Sequence, residues 1–196
     1  MELKSLILGV FVSVAVFALK SGGGLAYVFL KFPGVLPRLW ISLLFAAGYG
    51  IVFGAAAYLL HAVDLTGHLD LLQDFFKSGM TLHFLLAGLL LFWGVSLLRQ
   101  NKTQHPSKIS HSWIALVVPC PVCFSVILLS LGFLTALYPD QPLVFAGLYA
   151  GFIGVSLCVA IAGTAIIRNS GSAETALGTL MLFIALYFLL SVIVIP

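Results

Sequence analysis

Charge in this chain is confined to a few short clusters, and between them the sequence runs apolar for roughly 20 residues at a time, the length that carries a helix across a bilayer. Such runs leave no polar face to meet water, so they cannot be the amphipathic helices or half-buried strands of a soluble domain. Only 8% of the residues are charged, against about 25% in soluble proteins. The fold class that follows is an all-α integral membrane protein, with the lipid bilayer as its first partner. The net charge of +3 is dispersed, so nucleic-acid binding has no basic patch to rest on. The three cysteines all lie inside apolar runs, which excludes a disulfide-stapled secreted scaffold.

Six runs are expected to span the membrane. The first, residues 6–32, would extend about 39 Å as one helix, longer than the ~30 Å hydrocarbon core, so it must tilt or break. It reads as a retained span rather than a cleaved leader, because Met1–Lys4 has no net side-chain charge and Lys20 opens the would-be cleavage region. The second runs from Leu39 to about Val63 and the third from about Thr81 to Leu98. Between them, residues 67–78 alternate Leu71, Leu72, Phe75 and Phe76 with Asp70, Gln73, Asp74 and Lys77, the pattern of a short helix lying in the outer interface. A polar loop over residues 99–112 divides the chain into a first repeat, 1–98, and a second, 113–196. The fourth span starts at Trp113, the fifth covers Leu143–Ile167 and the sixth Ala176–Ile195.

Lys31, Arg38, Arg99, Lys102, Lys108 and Arg168 fall on one face of this topology, which is thereby read as cytoplasmic, with both termini outside in a cell membrane. Three spans per half invert the halves relative to each other. Gly50–Gly54 matches Gly147–Gly151, small-xxx-small pairs expected to permit close helix approach, and a Leu-x-Leu-Phe run recurs at Leu89–Phe92 and Leu180–Phe183. The expectation is two inverted three-helix repeats whose first helices, the first and fourth spans, are broken near the midplane.

The fourth span carries Pro119-Cys120-Pro121-Val122-Cys123. A helix restarting there places Cys120 at the N-cap, Pro121 at N1, where no N–H is needed, and Cys123 at N3. Free N–H groups at that end stabilise a thiolate, which suits a redox pair or a soft-metal site. Lys20 is the one charge deep within a span and lies at a depth similar to the cysteines, so an ammonium opposite a thiolate is expected there. The same charge repels a bound cation, which ranks redox chemistry above metal carriage. Gly22-Gly23-Gly24 is expected to unwind the first helix and, with Pro119 and Pro121, to shape the substrate path; Cys158 is a candidate third thiol. His61, Asp64, His68 and Asp70 form a weaker candidate metal vestibule at the outer end. No cofactor is expected.

With Pro119-Cys120 in the fourth of six spans, the chain resembles the cytochrome c biogenesis membrane electron transporters. It also resembles the membrane domain of the disulfide-reductase electron carrier and, at greater distance, lysine-exporter-like transporters and a prokaryotic set described only as predicted transporters. That resemblance implies a transporter moving reducing equivalents by thiol–disulfide exchange, fed by a cytoplasmic thioredoxin-like donor and emptied by an extracytoplasmic thiol acceptor. In those transporters a cysteine of the first span pairs with one of the fourth; here the first span has none, and Lys20 and three glycines stand in its place. On this reading Cys120 attacks, Cys123 resolves and Lys20 steadies the thiolate. The alternative is a secondary transporter of a thiophilic metal ion or small solute. A membrane enzyme of the vitamin-K-reductase kind ranks third, because its CxxC works with loop cysteines.

Overall fold

A computed structural model describes residues 2–62, 69–100, 113–138, 143–170 and 172–194. They form α1 (Glu2–Lys31), α2 (Val35–Ala62), α3 (Leu69–Gln100), α4 (Trp113–Val117), α5 (Pro121–Leu137), α6 (Leu143–Ser170) and α7 (Ala173–Val194). Four are long and apolar enough to cross a membrane: Ile7–Lys31, Val35–Ala62, Leu143–Arg168 and Ala173–Leu190; Phe84–Arg99 and Cys123–Thr135 are shorter apolar helices. Helix is the form such runs must take, since it satisfies every backbone group within the segment.

α1 ends where Pro33 and Gly34 follow it, and Arg38 reaches back to the freed carbonyls. Its Nε donates to Phe32 O at 3.3 Å and its Nη2 to Phe29 O at 3.1 Å, a side-chain cap on the last turn. Lys31 Nζ donates to Glu174 Oε1 at 3.0 Å and ties the end of α1 to the start of α7.

α1 is the central helix and packs against α4, α5, α6 and α7. It runs parallel to α6, with Gly22 beside Ser156 and Val159, and Gly163 beside Ala26. It runs antiparallel to α4, with Gly24 against Leu116 and Val117 while Lys20 meets Cys120. α2 runs parallel to the α4–α5 pair, Tyr49 bonding Val117 and Leu60 facing Gly132. α3 and α7 are antiparallel and closest at Gly94 and Gly178, where a Cβ on either would lie 3.0 Å from the other's carbonyl oxygen.

Three expectations are corrected. α1 is unbroken through Gly22-Gly23-Gly24, so no half-helix begins at Leu25. Successive helical positions point about 100° apart, and the three glycines use this to admit three neighbours at once. A Cβ at Gly22 would lie 2.5 Å from Ser156 O, one at Gly23 would overlap Leu180 Cδ2, and one at Gly24 would lie 2.8 Å from Leu116 Cβ. These glycines serve packing. Secondly, the outer interfacial helix is not separate: residues 69–78 are the opening turns of α3, because Ser78-Gly79 leaves every backbone N–H in place to continue it. Thirdly, a Cβ at Gly54, Gly147 or Gly151 meets nothing within 4 Å, so those glycines mark no close helix crossing.

Candidate functional site

The run from Trp113 is interrupted at residues 118–120 for a reason its prolines make explicit. A helix needs the N–H of residue i to reach the carbonyl of i−4. Pro119 and Pro121 have no N–H, so Ala115 and Val117 lose their acceptor roles. The last bond before the gap is Val118 N–H to Ile114 O at 2.8 Å, and the first beyond it is Phe124 N–H to Cys120 O at 3.1 Å. Cys120 is the N-cap of α5, with extended backbone, and its Sγ accepts from Cys123 N–H at 3.3 Å. The orphaned Val117 carbonyl is taken up from another helix: Tyr49 O–H donates to it at 2.7 Å.

Lys20 closes this gap from α1. Its Nζ lies 3.7 Å from Cys120 Sγ and 3.5 Å from Cys123 Sγ, and the residue is only 3% exposed. The two sulfurs are 2.9 Å apart and unbonded; a disulfide bond is about 2.03–2.05 Å long. Cys123 is buried, whereas Cys120 keeps partial exposure. Ser21, fully buried, shares a 3.0 Å hydrogen bond with Tyr49 O–H. Lys20 therefore brings its charge to two thiols, and Ser21 and Tyr49 fix the adjoining backbone.

Aromatic rings enclose one side. Phe17, one turn before Lys20, stacks on Phe152 at 4.8 Å and meets Tyr49 edge-on at 5.5 Å. Phe45 and Phe53 complete the group from α2. Such surroundings keep the dielectric low, which strengthens ammonium–sulfur attraction and makes an unpaired charge costly.

The structure thus brings Lys20, Cys120 and Cys123 together, flanked by Pro119 and Pro121 in sequence and backed by Gly24 against α4. Cys158 stands apart, exposed on α6, and bonds neither thiol. Of the proposed metal vestibule, His61 stacks near Phe145 at 6.4 Å, while Asp64 and His68 lie outside the described residues, as does most of the 99–112 loop. No cluster of three metal-ligating side chains occurs among the described residues. Tyr49 and Ser21 are the residues of this site missed from sequence. The available signal was arithmetic: Pro121 orphans Val117, and some buried hydroxyl must answer it.

No curated protein and no solved structure matches the chain. A family does match, and it supports a transporter while leaving the cytochrome c biogenesis and disulfide-reductase assignment without support. Residues 5–196 match the family described as Predicted transporter (DUF2162), and the chain belongs to that family.

Proposed function

We propose that this membrane transporter moves reducing equivalents through Cys120 and Cys123 by thiol–disulfide exchange. The observation that carries the reading is the buried Lys20 ammonium within 3.5–3.7 Å of both sulfurs. A lysine in apolar surroundings needs an anion, and a thiolate is the anion this site can form. Cys120, the more exposed sulfur and the one receiving the Cys123 N–H, is the attacking group.

The cycle balances in two electrons. Cys120 thiolate attacks a disulfide of an outer acceptor, forms a mixed disulfide and displaces one acceptor thiolate. Cys123 loses its proton and attacks Cys120 Sγ; the second acceptor sulfur leaves, and the Cys120–Cys123 disulfide forms. The acceptor gains two electrons, and its two thiolates take up two protons from water, matching those that Cys120 and Cys123 gave up. A cytoplasmic dithiol of thioredoxin type then reduces the pair by the same steps in reverse. Lys20 holds the negative charge on sulfur before attack.

Six crossings with inverted halves and outer termini belong to this proposal. Their support is the packing: α1 lies parallel to α6 as α2 lies parallel to α4–α5, while α1 with α4 and α3 with α7 are antiparallel. An exchange of halves about a two-fold axis in the membrane plane produces that set of pairs.

Carriage of a soft metal ion or small solute is the second reading, and the ammonium beside the two sulfurs opposes its metal version. Labelling of Cys120 and Cys123 in inverted membrane vesicles, with and without reduced thioredoxin, tests the choice. Conversion of a disulfide to two labelled thiols is expected, and Cys120→Ser or Cys123→Ser should abolish transfer to an outer acceptor. Thiols that stay reduced and inert would sink the redox reading; metal-dependent protection would favour the second.

A further inference from the structure

A groove of about 880 Å³ opens between the end of α1, the start of α2 and the end of α6, away from the thiol site. Among the described residues two guanidinium groups, Arg38 and Arg168, line it, and no acidic residue does. Arg38 spends two of its five N–H donors on Phe32 O and Phe29 O, leaving three. Arg168 is exposed and makes no ion pair among the described residues. The hydroxyls in the groove are already committed as donors, Ser42 to Arg38 O at 2.9 Å and Thr164 to Ala160 O at 2.6 Å. The charge available to a ligand is therefore two cations held at one end.

The remaining walls are apolar and face outward. Val35 is 82% exposed, Leu39 63% and Ile161 65%. In a helix bundle of this composition, exposed aliphatic side chains meet acyl chains rather than water. An occupant must be anionic where the arginines are and hydrocarbon beside them. We propose that this groove holds an anionic phospholipid, its phosphate between Arg38 and Arg168 and its acyl chains along Val35, Leu39 and Ile161. Free phosphate or a soluble anion satisfies the arginines but leaves the aliphatic walls unmatched. Basic pockets between helices at the cytoplasmic end take such headgroups, and Lys31, Arg38, Arg99 and Arg168 share one end of this bundle.

Native mass spectrometry of the purified, full-length protein with equal amounts of phosphatidylglycerol and phosphatidylcholine of the same chain length tests this, whatever the thiols do. The wild type should retain phosphatidylglycerol preferentially. R168Q should lower that preference about fivefold, R168K should keep it, and R99Q, at the same end but outside the groove, should leave it unchanged. Equal retention of the two lipids by the wild type overturns the proposal and needs no variant to fold. So does an R168Q loss no larger than that of R99Q. Displacement of the bound lipid by millimolar inorganic phosphate also overturns it, in favour of a free-anion site.

Discussion

α1 and the α4–α5 run lead the two halves of the chain, lie against each other, and carry opposite solutions to one problem. Each holds residues held to weaken a helix, the consecutive glycines 22–24 in α1 and two prolines at 119 and 121. Only the prolines break it. The difference is in the backbone donors. Glycine costs about 1 kcal/mol of propensity but keeps its N–H, and in hydrocarbon an unbroken hydrogen-bond ladder outweighs that preference. Proline removes the N–H itself, so no environment can restore the bond. Glycine in such a bundle thus makes room, and proline makes a gap. Lys20 on the unbroken helix fills the gap in the broken one.

The largest effect expected from testing this contrast falls on Gly22. A Cβ there meets Ser156 O, a backbone atom that cannot rotate away, at 2.5 Å. Gly22→Ala should therefore destabilise the protein by about 3 kcal/mol through overpacking, read as a lowered unfolding midpoint in detergent. Gly54→Ala and Gly151→Ala, with open space around them, should be neutral or stabilising. If Gly22→Ala raises the midpoint as a helix-breaking glycine would on replacement, the packing account fails.

Lys20→Met comes next and separates function from stability. It removes a buried charge whose partners are sulfurs rather than carboxylates; the sulfurs left behind can stay protonated and neutral, so the uncompensated buried charge that makes loss of one partner costly does not arise. Stability should hold or rise. Thiol exchange should fall, because a charge-assisted bond worth about 2 kcal/mol is lost, roughly thirtyfold in rate. Stopped-flow labelling of Cys120 measures it. A variant that loses stability and keeps its exchange rate assigns Lys20 a structural role instead.

How far the sequence carried follows the same division. The apolar runs were legible because charge is so scarce that its positions mark the helix ends. The restart at Pro121 was legible too, since a missing N–H is a local fact. The continuity of α1 was not: glycine's weakness is local, but its use at Ser156, Leu180 and Leu116 is set by three other helices. Residues 69–78 misled similarly, their polar face matching an interfacial helix although nothing in the backbone stops α3 there. Tyr49 was hidden for another reason. It sits midway between Phe45 and Phe53 at helical spacing in a chain with 16 phenylalanines, so an aromatic stripe carries little information. Its partner carbonyl is marked by Pro121 four residues on, but nothing in the sequence says which hydroxyl reaches it.

The smallest effect is also the most specific. Tyr49→Phe removes the donor to the Val117 carbonyl and should cost about 1 kcal/mol. Pro121→Ala supplies a backbone N–H in the position from which an unbroken helix would reach that carbonyl. If the break explains the tyrosine, the two changes are coupled: Tyr49→Phe should cost little in a Pro121→Ala background, with an interaction energy of about 1 kcal/mol. Additive costs would mean that Tyr49 matters mainly through Ser21 and the rings of Phe17 and Phe152. Thiol labelling on the same four proteins adds a second reading. Continuing the helix through residue 120 turns Cys120 from an N-cap into an interior position, where its Sγ can no longer accept from Cys123 N–H. Exchange should slow in Pro121→Ala even where stability is regained, which would show that the gap exists to present the thiol and that the tyrosine exists to permit the gap.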